Sequence, residues 1–437
     1  MNNPAKKVRF SIVIPTTGRA DLVRMSLTSI LTQTFKDYEV WIVDSGYSKD
    51  LLAYVGGVND SRVHVVNPPD KQPFSPWNYG AHVATGDYVM WLDDDNYLLP
   101  FALEMFAEAA VKSSADVITG THLYYYDRAH PRYYLRNSIG ILPYTDTATW
   151  VDPVTIINSL FNFGARGPGS KIPRLHFSAT VYAHRVLKKT LAEVGFVTFT
   201  DMPNMHAMQP MLFAHATSCL YVDHPVVVVG RLGVSMGQIW STAAKERFAK
   251  GNFRFKLTPL SGHARINAIL EGYLRAQDAV PTLTVAPINY GRFIDLYIKE
   301  LLYLDSTYRS IVNNWENAFV FIDTLPSDIR TRIKKKARKF ALLSPFIFIA
   351  RRTGLHQLWR NLYGRLVSLK KRENPLAQVI SNREFSIPIS EYSSVDSVLA
   401  LAPFIQEIGL RKIERDLYDW KKALAEVPKN KFSEPLS

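Results

Sequence analysis

Only one cysteine, Cys219, occurs in the sequence, so no disulfide can form within the chain and a disulfide-stapled scaffold is excluded. No window approaches the ~18 apolar residues that a membrane-spanning helix requires. The first apolar run, F-S-I-V-I, ends at Pro15. It is too short for a signal-peptide core, despite Lys6, Lys7 and Arg9 before it, and reads better as a strand. The expectation is a protein made and kept in the cytoplasm. Internal repeats and low-complexity tracts are also missing, which excludes solenoid and linker-like architectures.

One stretch lacks acid altogether. Between Arg330 and Arg372 there are fourteen basic residues and no Asp or Glu. Subtracting fourteen from the net charge of +13 leaves the rest of the chain close to neutral, so the basicity belongs to one segment. What the chain does have is apolar and aromatic mass: 47% hydrophobic residues, with 23 Phe, 22 Tyr and 8 Trp. In 437 residues, that is enough to bury a sizeable core, and the length suggests two to three domains.

The first hundred residues alternate strand and helix signals. R-F-S-I-V-I-P (9–15) reads as a buried strand. Leu22, Met25, Ile30 and Leu31 then fall at helical spacing. Y-E-V-W-I-V-D ends a second strand at Asp44, R-V-H-V-V-N (62–67) gives a third, N-Y-G-A-H-V-A-T a short helix, and G-D-Y-V-M-W-L (86–92) a fourth strand. Such alternation predicts an α/β fold with a mainly parallel sheet, whose ligands sit beyond the carboxyl ends of the strands. Thr16, Asp44 and the triplet Asp93, Asp94 and Asp95 all fall at those ends. Further on, P-F-A-L-E-M-F-A-E-A-A and L-K-K-T-L-A-E-V-G read as helices, A-D-V-I-T-G and H-P-V-V-V-V-G as strands. Residues 121–180 read as loops and short strands, and helix dominates from about 240.

Three adjacent carboxylates repel one another unless a counter-charge is near. Hard divalent cations such as Mn²⁺ and Mg²⁺ prefer carboxylate and phosphate oxygens, and one or two protein carboxylates suffice when a diphosphate supplies the rest. The competing interpretation is an acidic turn that places charge near the N-terminus of the helix beginning around Pro100.

Taken in order, F-S-I-V-I-P-T-T-G-R-A, Y-E-V-W-I-V-D-S-G and W-N-Y-G-A-H-V-A-T-G-D-Y-V-M-W-L-D-D-D-N resemble the family-2 glycosyltransferases, whose catalytic domain has the GT-A fold. The resemblance covers residues 9 to about 100 and continues as an echo to about 240. It implies that Pro15, Thr16 and Thr17 line a nucleotide pocket, that Asp44 bonds the base, with uracil favoured, and that a D-x-D element, Asp93 to Asp95, carries the metal. Asp95 is then the direct ligand, and Asp94 faces the ribose or metal-bound waters. Asn78 matches an R-N-x-G element whose Arg is Trp77 here, leaving the diphosphate counter-charge to Arg19 or Lys71. The bland alternatives are helix capping for Thr16 and Thr17 and turn formation for Asp44.

An inverting transfer needs a general base. The family places an acid about a hundred residues past the D-x-D element, which implies Asp201, with Glu193 as the weaker alternative. His206 is the candidate histidine for the metal shell, beside a structural role. R-L-G-V-S-M-G-Q (231–238) resembles a Gly/Ser-containing loop that closes over the nucleotide in related enzymes, which implies Arg231 or Ser235 as a phosphate contact; a plain turn competes equally. The expected partners are a nucleotide-sugar donor and a glycan or lipid-linked acceptor, with no nucleic acid. A sugar nucleotidyltransferase is disfavoured because P-T-T-G-R stands where that class has G-x-G-T-R. A non-catalytic adaptor that binds membrane and partners is the remaining alternative.

The expected organisation is a catalytic domain over 1–240 (nucleotide half 1–100, acceptor half 101–240), a helical region over 241–329, and a basic amphipathic extension over 330–437. Leu355, Leu358, Trp359, Leu362, Leu366 and Leu369 lie at helical spacing among the cations. The segment 330–372 is therefore expected on an anionic membrane surface, at the inner face of the cell membrane, with Phe346, Phe348 and Trp359 at the headgroup boundary. Internal packing with a solvated basic face is the alternative.

Overall fold

The computed structural model describes residues 8–352 except 73, 130–137, 142–143, 165–171, 203–204, 233–234, 236–254, 261–263 and 302–307, and beyond 352 it describes 385–388, 421 and 424. The first strand, β1 (Phe10–Thr16), is buried along its whole length. It pairs in parallel with β2 (Tyr38–Asp44), in a register that sets Phe10 opposite Tyr38 and Thr16 opposite Asp44. On its other side lies β4 (Tyr88–Trp91), also parallel, with Val13 opposite Trp91. β3 (Val63–Val66) extends the sheet beyond β2. Continuous apolar strands of this kind need cover on both faces. α1 (Ala20–Leu31), α2 (Lys49–Val58) and α3 (Ser75–Val83) provide the crossovers. α3 lies so near β1 that a methyl group on Gly80 would stand 2.2 Å from Val13 Cγ1.

After the two-residue β5 (Tyr97–Leu98) and α4 (Ala102–Ser113), the long β6 (Val117–Tyr126) continues the sheet. β7 (Ser138–Ile141) and β9 (Thr180–Ala183) pair with β6 antiparallel, and β9 joins it to β4. β8 (Ala148–Val151) and β10 (Cys219–Arg231) complete the centre, with β10 parallel to β6 and antiparallel to β5 and β8. The result is a mixed, mainly parallel sheet with flanking helices, the GT-A architecture, and the helical C-terminal region is also present.

α5 (Pro153–Phe161), α6 (His184–Val194) and α7 (Met208–Ala214) flank the second half. The core runs on past residue 240: Tyr273 of α8 (Arg265–Ala279) stacks on Phe161, with ring centroids 5.3 Å apart. α9 (Tyr290–Leu301), α10 (Tyr308–Thr324) and α11 (Ser327–Arg352) follow. The C-terminal part is not wholly helical, because β11 (Phe385–Pro388) pairs with β7. α11 carries the first part of the basic segment. Residues 353–372, Trp359 among them, lie outside the described residues. Among the described residues no helix is long and apolar enough to cross a membrane.

Candidate functional site

Parallel pairing of β1 with β2 and β4 brings three chain ends to one edge. The Leu92 amide bonds Val13 O, and the Ser45 amide bonds Thr16 O. Thr16, Asp44 and the aspartate triplet therefore meet there, as the register requires. The loops after β1 and β2 touch closely enough that a Cβ at Gly46 would stand 2.3 Å from Thr17 O.

Most of the polar groups on this edge are already engaged. Asp44 is buried; Oδ1 accepts from the Gly46 amide (2.7 Å) and Oδ2 from the Ser48 amide (2.7 Å). Both oxygens thus serve the turn that leads into α2, as the turn-forming alternative requires. Thr16 Oγ1 does not cap α1; it donates to Asp94 Oδ2 at 2.7 Å. Arg19 donates through Nε to the same oxygen (3.0 Å) and through Nη2 to the other. Pro15 is buried within β1, and Thr17 is exposed. Lys71 sits over the Tyr47 ring, 4.8 Å from its centroid. Asn78 uses its whole amide on backbone: Oδ1 accepts from the Val197 and Thr198 amides, and Nδ2 donates to Thr198 O. It pins α3 to the 197–198 stretch.

The triplet follows β4 as a tight turn. Asp94 is the neutralised member. Burial pushes its carboxyl up to about 6 against the pull of Arg19, and Asp95 adds to the rise. Asp95 is nearly buried and accepts from Ser235 Oγ at 2.6 Å. Asp93 has no such relief. Its Oδ1 is enclosed by protein with no hydrogen-bond partner. Burial, then Asp95 and Asp94, raise its pKa well above the ordinary carboxylate value. An orphaned buried carboxylate oxygen beside two more carboxylates is costly unless a cation comes to it. The chemistry of this donor set fits a hard divalent cation.

Behind the triplet, Asn96 Nδ2 donates to Ser178 Oγ (2.8 Å) and Asn96 Oδ1 accepts from the Gly230 amide (3.0 Å). These bonds lock the triplet to β10 and to the 3-10 turn Phe177–Ala179. A Cβ at Gly230 would lie 2.0 Å from Asp95 O, so only glycine allows this approach. The next residue, Arg231, bears directly on the site. Its charge favours ionised Asp93 and Asp95, and its guanidinium lies 4.7 Å from the Tyr124 ring centroid. Among the described residues no carboxylate is within ion-pair distance of it.

Two expected roles meet other surroundings in the structure. The three-residue metal shell of Asp93, Asp95 and His206 is not assembled: among the described residues, no three His, Cys, Asp or Glu side chains are grouped to hold a metal. His206 instead acts electrostatically on His176. Asp201 is placed as an anchor, accepting from Arg275 (2.6 Å) and Lys256 (3.0 Å). Burial raises its pKa, but Lys256 and Arg275 outweigh that and hold it below the ordinary value, where a carboxylate is a weak proton acceptor. Glu193, on α6, pairs with His215 and accepts from Thr282 Oγ1 at 3.3 Å. Ser178, Asn96, His122 and His176 are site residues that the sequence reading missed. The one signal available was the i, i+2 spacing of His122 and Tyr124 in β6, which puts both on one face.

Residues 11–189 match the model described as Glycosyl transferase family 2. A Campylobacter jejuni GalNAc(5)-diNAcBac-PP-undecaprenol beta-1,3-glucosyltransferase is 34% identical over 113 residues, 25% of this chain and 37% of that protein. The Pasteurella multocida chondroitin synthase is 32% identical over 104 residues, 23% of this chain and 11% of that protein. The chain thus spans well under half the length of these relatives. Among solved structures, S. aureus TarS 1–349 in complex with UDP-GlcNAc aligns at 16% identity and a TM-score of 0.42, covering 79% of this chain and 92% of that one. At that score the likeness says nothing about this site.

Proposed function

Because residues 11–189 carry a glycosyl transferase family 2 domain, we propose that the protein is a glycosyltransferase. It moves a sugar from a nucleotide-sugar donor, UDP-linked by preference, to a glycan or lipid-linked acceptor in polysaccharide synthesis. The carrying observation is the unpartnered, enclosed Oδ1 of Asp93 beside Asp95, with the field of Arg231 falling on both. Asp93 and Asp95 would hold Mn²⁺ or Mg²⁺, which when bound supplies Lewis-acid stabilisation of a departing diphosphate. Arg231, rather than the Asp94-bound Arg19 or the Tyr47-stacked Lys71, supplies the protein's counter-charge to that diphosphate. The turn after β2 walls the nucleotide side, with Tyr47 held by its hydroxyl bond to Pro68 O (2.5 Å).

Inversion is the stereochemistry that the family resemblance favours, and Asp201, the expected base, is paired with Lys256 and Arg275. The test is a thermal-shift panel of UDP-, GDP- and dTDP-sugars with and without Mn²⁺. A metal-dependent shift with one nucleotide, lost in Asp95→Ala, is expected. No shift with any of them would remove the transferase reading.

The basic face of α11 supports a peripheral seat on an anionic membrane. Arg330, Lys334, Lys335, Arg338 and Lys339 line a surface groove of about 770 Å³ with Asp323 and the exposed Leu342. Lys334 is paired with Asp323, and Arg330 donates to the Asp323 carbonyl at 3.1 Å; Lys335, Arg338 and Lys339 remain to meet headgroups, at about 1 kcal/mol each. Co-sedimentation with phosphatidylserine vesicles is expected and should fall with Lys335, Arg338 and Lys339 changed to Gln. Unaltered binding in that variant would refute the seat.

A further inference from the structure

Arg231 also faces a second set of side chains that the donor site does not use. His122, in β6, is buried. Its Nε2 pairs with the Tyr124 hydroxyl at 2.9 Å, and its Nδ1 has no partner. The His176 ring lies 5.1 Å away, and its Nδ1 accepts from the Ser178 amide at 3.2 Å. Both rings are neutral. Burial, then Arg231 and Arg174, hold His122 down at about 3; burial, then His122, Arg231, His206 and Arg265, hold His176 well below its ordinary value.

For His176, neutrality and the amide donated to Nδ1 together fix the tautomer. His176, accepting at Nδ1, carries its proton on Nε2. His122 pairs through Nε2 with the Tyr124 hydroxyl, and its enclosed Nδ1 has no hydrogen-bond partner. Arg265, at the start of α8, keeps exposed surface while the enclosing protein and then Arg231 oppose its charge. The nearest acid, Glu300, spends its oxygens on the Arg265 and Ile266 backbone amides (3.0 and 2.8 Å). Two neutral imidazoles, one of them an N–H donor through His176 Nε2, and a guanidinium without a bonded carboxylate among the described residues thus adjoin Arg231. This is the chemistry of a phosphoryl site.

We propose that His122, His176 and Arg265 form a phosphoryl subsite for the acceptor, adjoining the donor diphosphate at Arg231 but separate from it. The assignment to the acceptor rests on the transferase reading; the anion site itself does not. The probe is phenyl phosphate, a monoester without a diphosphate's chelating power, titrated onto the full chain with and without saturating UDP and Mg²⁺. Binding is expected in both conditions, weakened about tenfold or more in Arg265→Gln and His176→Gln. In Arg265→Gln, which touches none of the residues assigned to the donor, UDP affinity should stay within about twofold of the unmodified chain. Displacement of phenyl phosphate by UDP would assign the anion to the donor diphosphate and overturn the proposal. So would equal binding by the two variants, or no saturable binding. Failure of UDP alone to bind would sink the donor reading and leave the phenyl phosphate result standing.

Discussion

On the side of the site built by β1 and β2, charges come already matched. Asp94 is closed by Arg19 and Thr16, and both oxygens of Asp44 are taken by backbone amides. On the side built by β6 and β10, Arg231 and Arg265 have no carboxylate within ion-pair distance among the described residues, and His122 Nδ1 and Asp93 Oδ1 are orphaned. The first side is a scaffold whose bonds hold the loops in place. The second keeps its bonding capacity for something that arrives. If that division is right, substitutions on the unmatched side should cost function and leave stability alone, and those on the matched side should do the reverse.

The largest effect is expected at the metal seat. Asp93→Ala or Asp95→Ala should lower sugar transfer about a thousandfold or more, in an assay of labelled sugar moved to acceptor, while urea midpoints stay close to native. Asp93→Ala should even stabilise the chain, by relieving a buried, repelled carboxylate. Full activity in Asp93→Ala would break the comparison at its strongest point. Next comes Arg231→Gln, expected to lower kcat/KM about a hundredfold with an unchanged melting curve. A collapsed fold in that variant would move Arg231 to the scaffold.

Arg19→Ala tests the matched side. It leaves Asp94 buried without its cation. Loss of about 2 kcal/mol in urea denaturation is expected, less than for a fully enclosed pair because Arg19 is one-third exposed. A stability change near zero would mean that the bidentate bond contributes nothing, and that Arg19 is available to substrate after all.

The matched side was the legible one. β1, β2 and β4 announce themselves as mainly apolar runs, and parallel pairing brings their ends together, so the pattern alone put Thr16, Asp44 and Asp94 on one edge. What pattern could not give was side-chain pairing across long sequence separations. Arg19 meets Asp94 over 75 residues, and Ser235 meets Asp95 over 140. α2 was missed because Gly56 and Gly57 weaken its helical signal. α5 was missed because Val154, Thr155, Ile156 and Ile157 read as strand. Its start was nevertheless written in the sequence, since Asp152 caps the Val154 and Thr155 amides and Pro153 sits in the first turn. His122 and His176 were illegible for a different reason: a histidine says nothing until its two nitrogens have named partners.

The smallest effect concerns Asp201, and it is the most discriminating. Asp201 and the fully buried Glu271 flank Arg275, and both are held below their ordinary pKa. For Glu271, burial raises the value but three backbone amides and Arg275 outweigh it. A carboxylate whose folded pKa is depressed adds stability that is present above its unfolded value and lost as pH falls through the folded one. The unfolded values are 4.5 for Glu271 and 3.8 for Asp201, so thermal midpoints should hold above pH 5 and drop below about pH 4. Glu271→Gln should flatten that drop. Asp201→Asn should barely change it, because its side chain is 47% exposed and solvent screens its ion pairs. Transfer by Asp201→Asn should stay within about threefold of native at every pH, whereas removal of a general base typically costs about a hundredfold or more. A loss of that size, with the alkaline limb of the pH profile shifted, would return Asp201 to the chemistry and require that Lys256 and Arg275 release it when substrate binds.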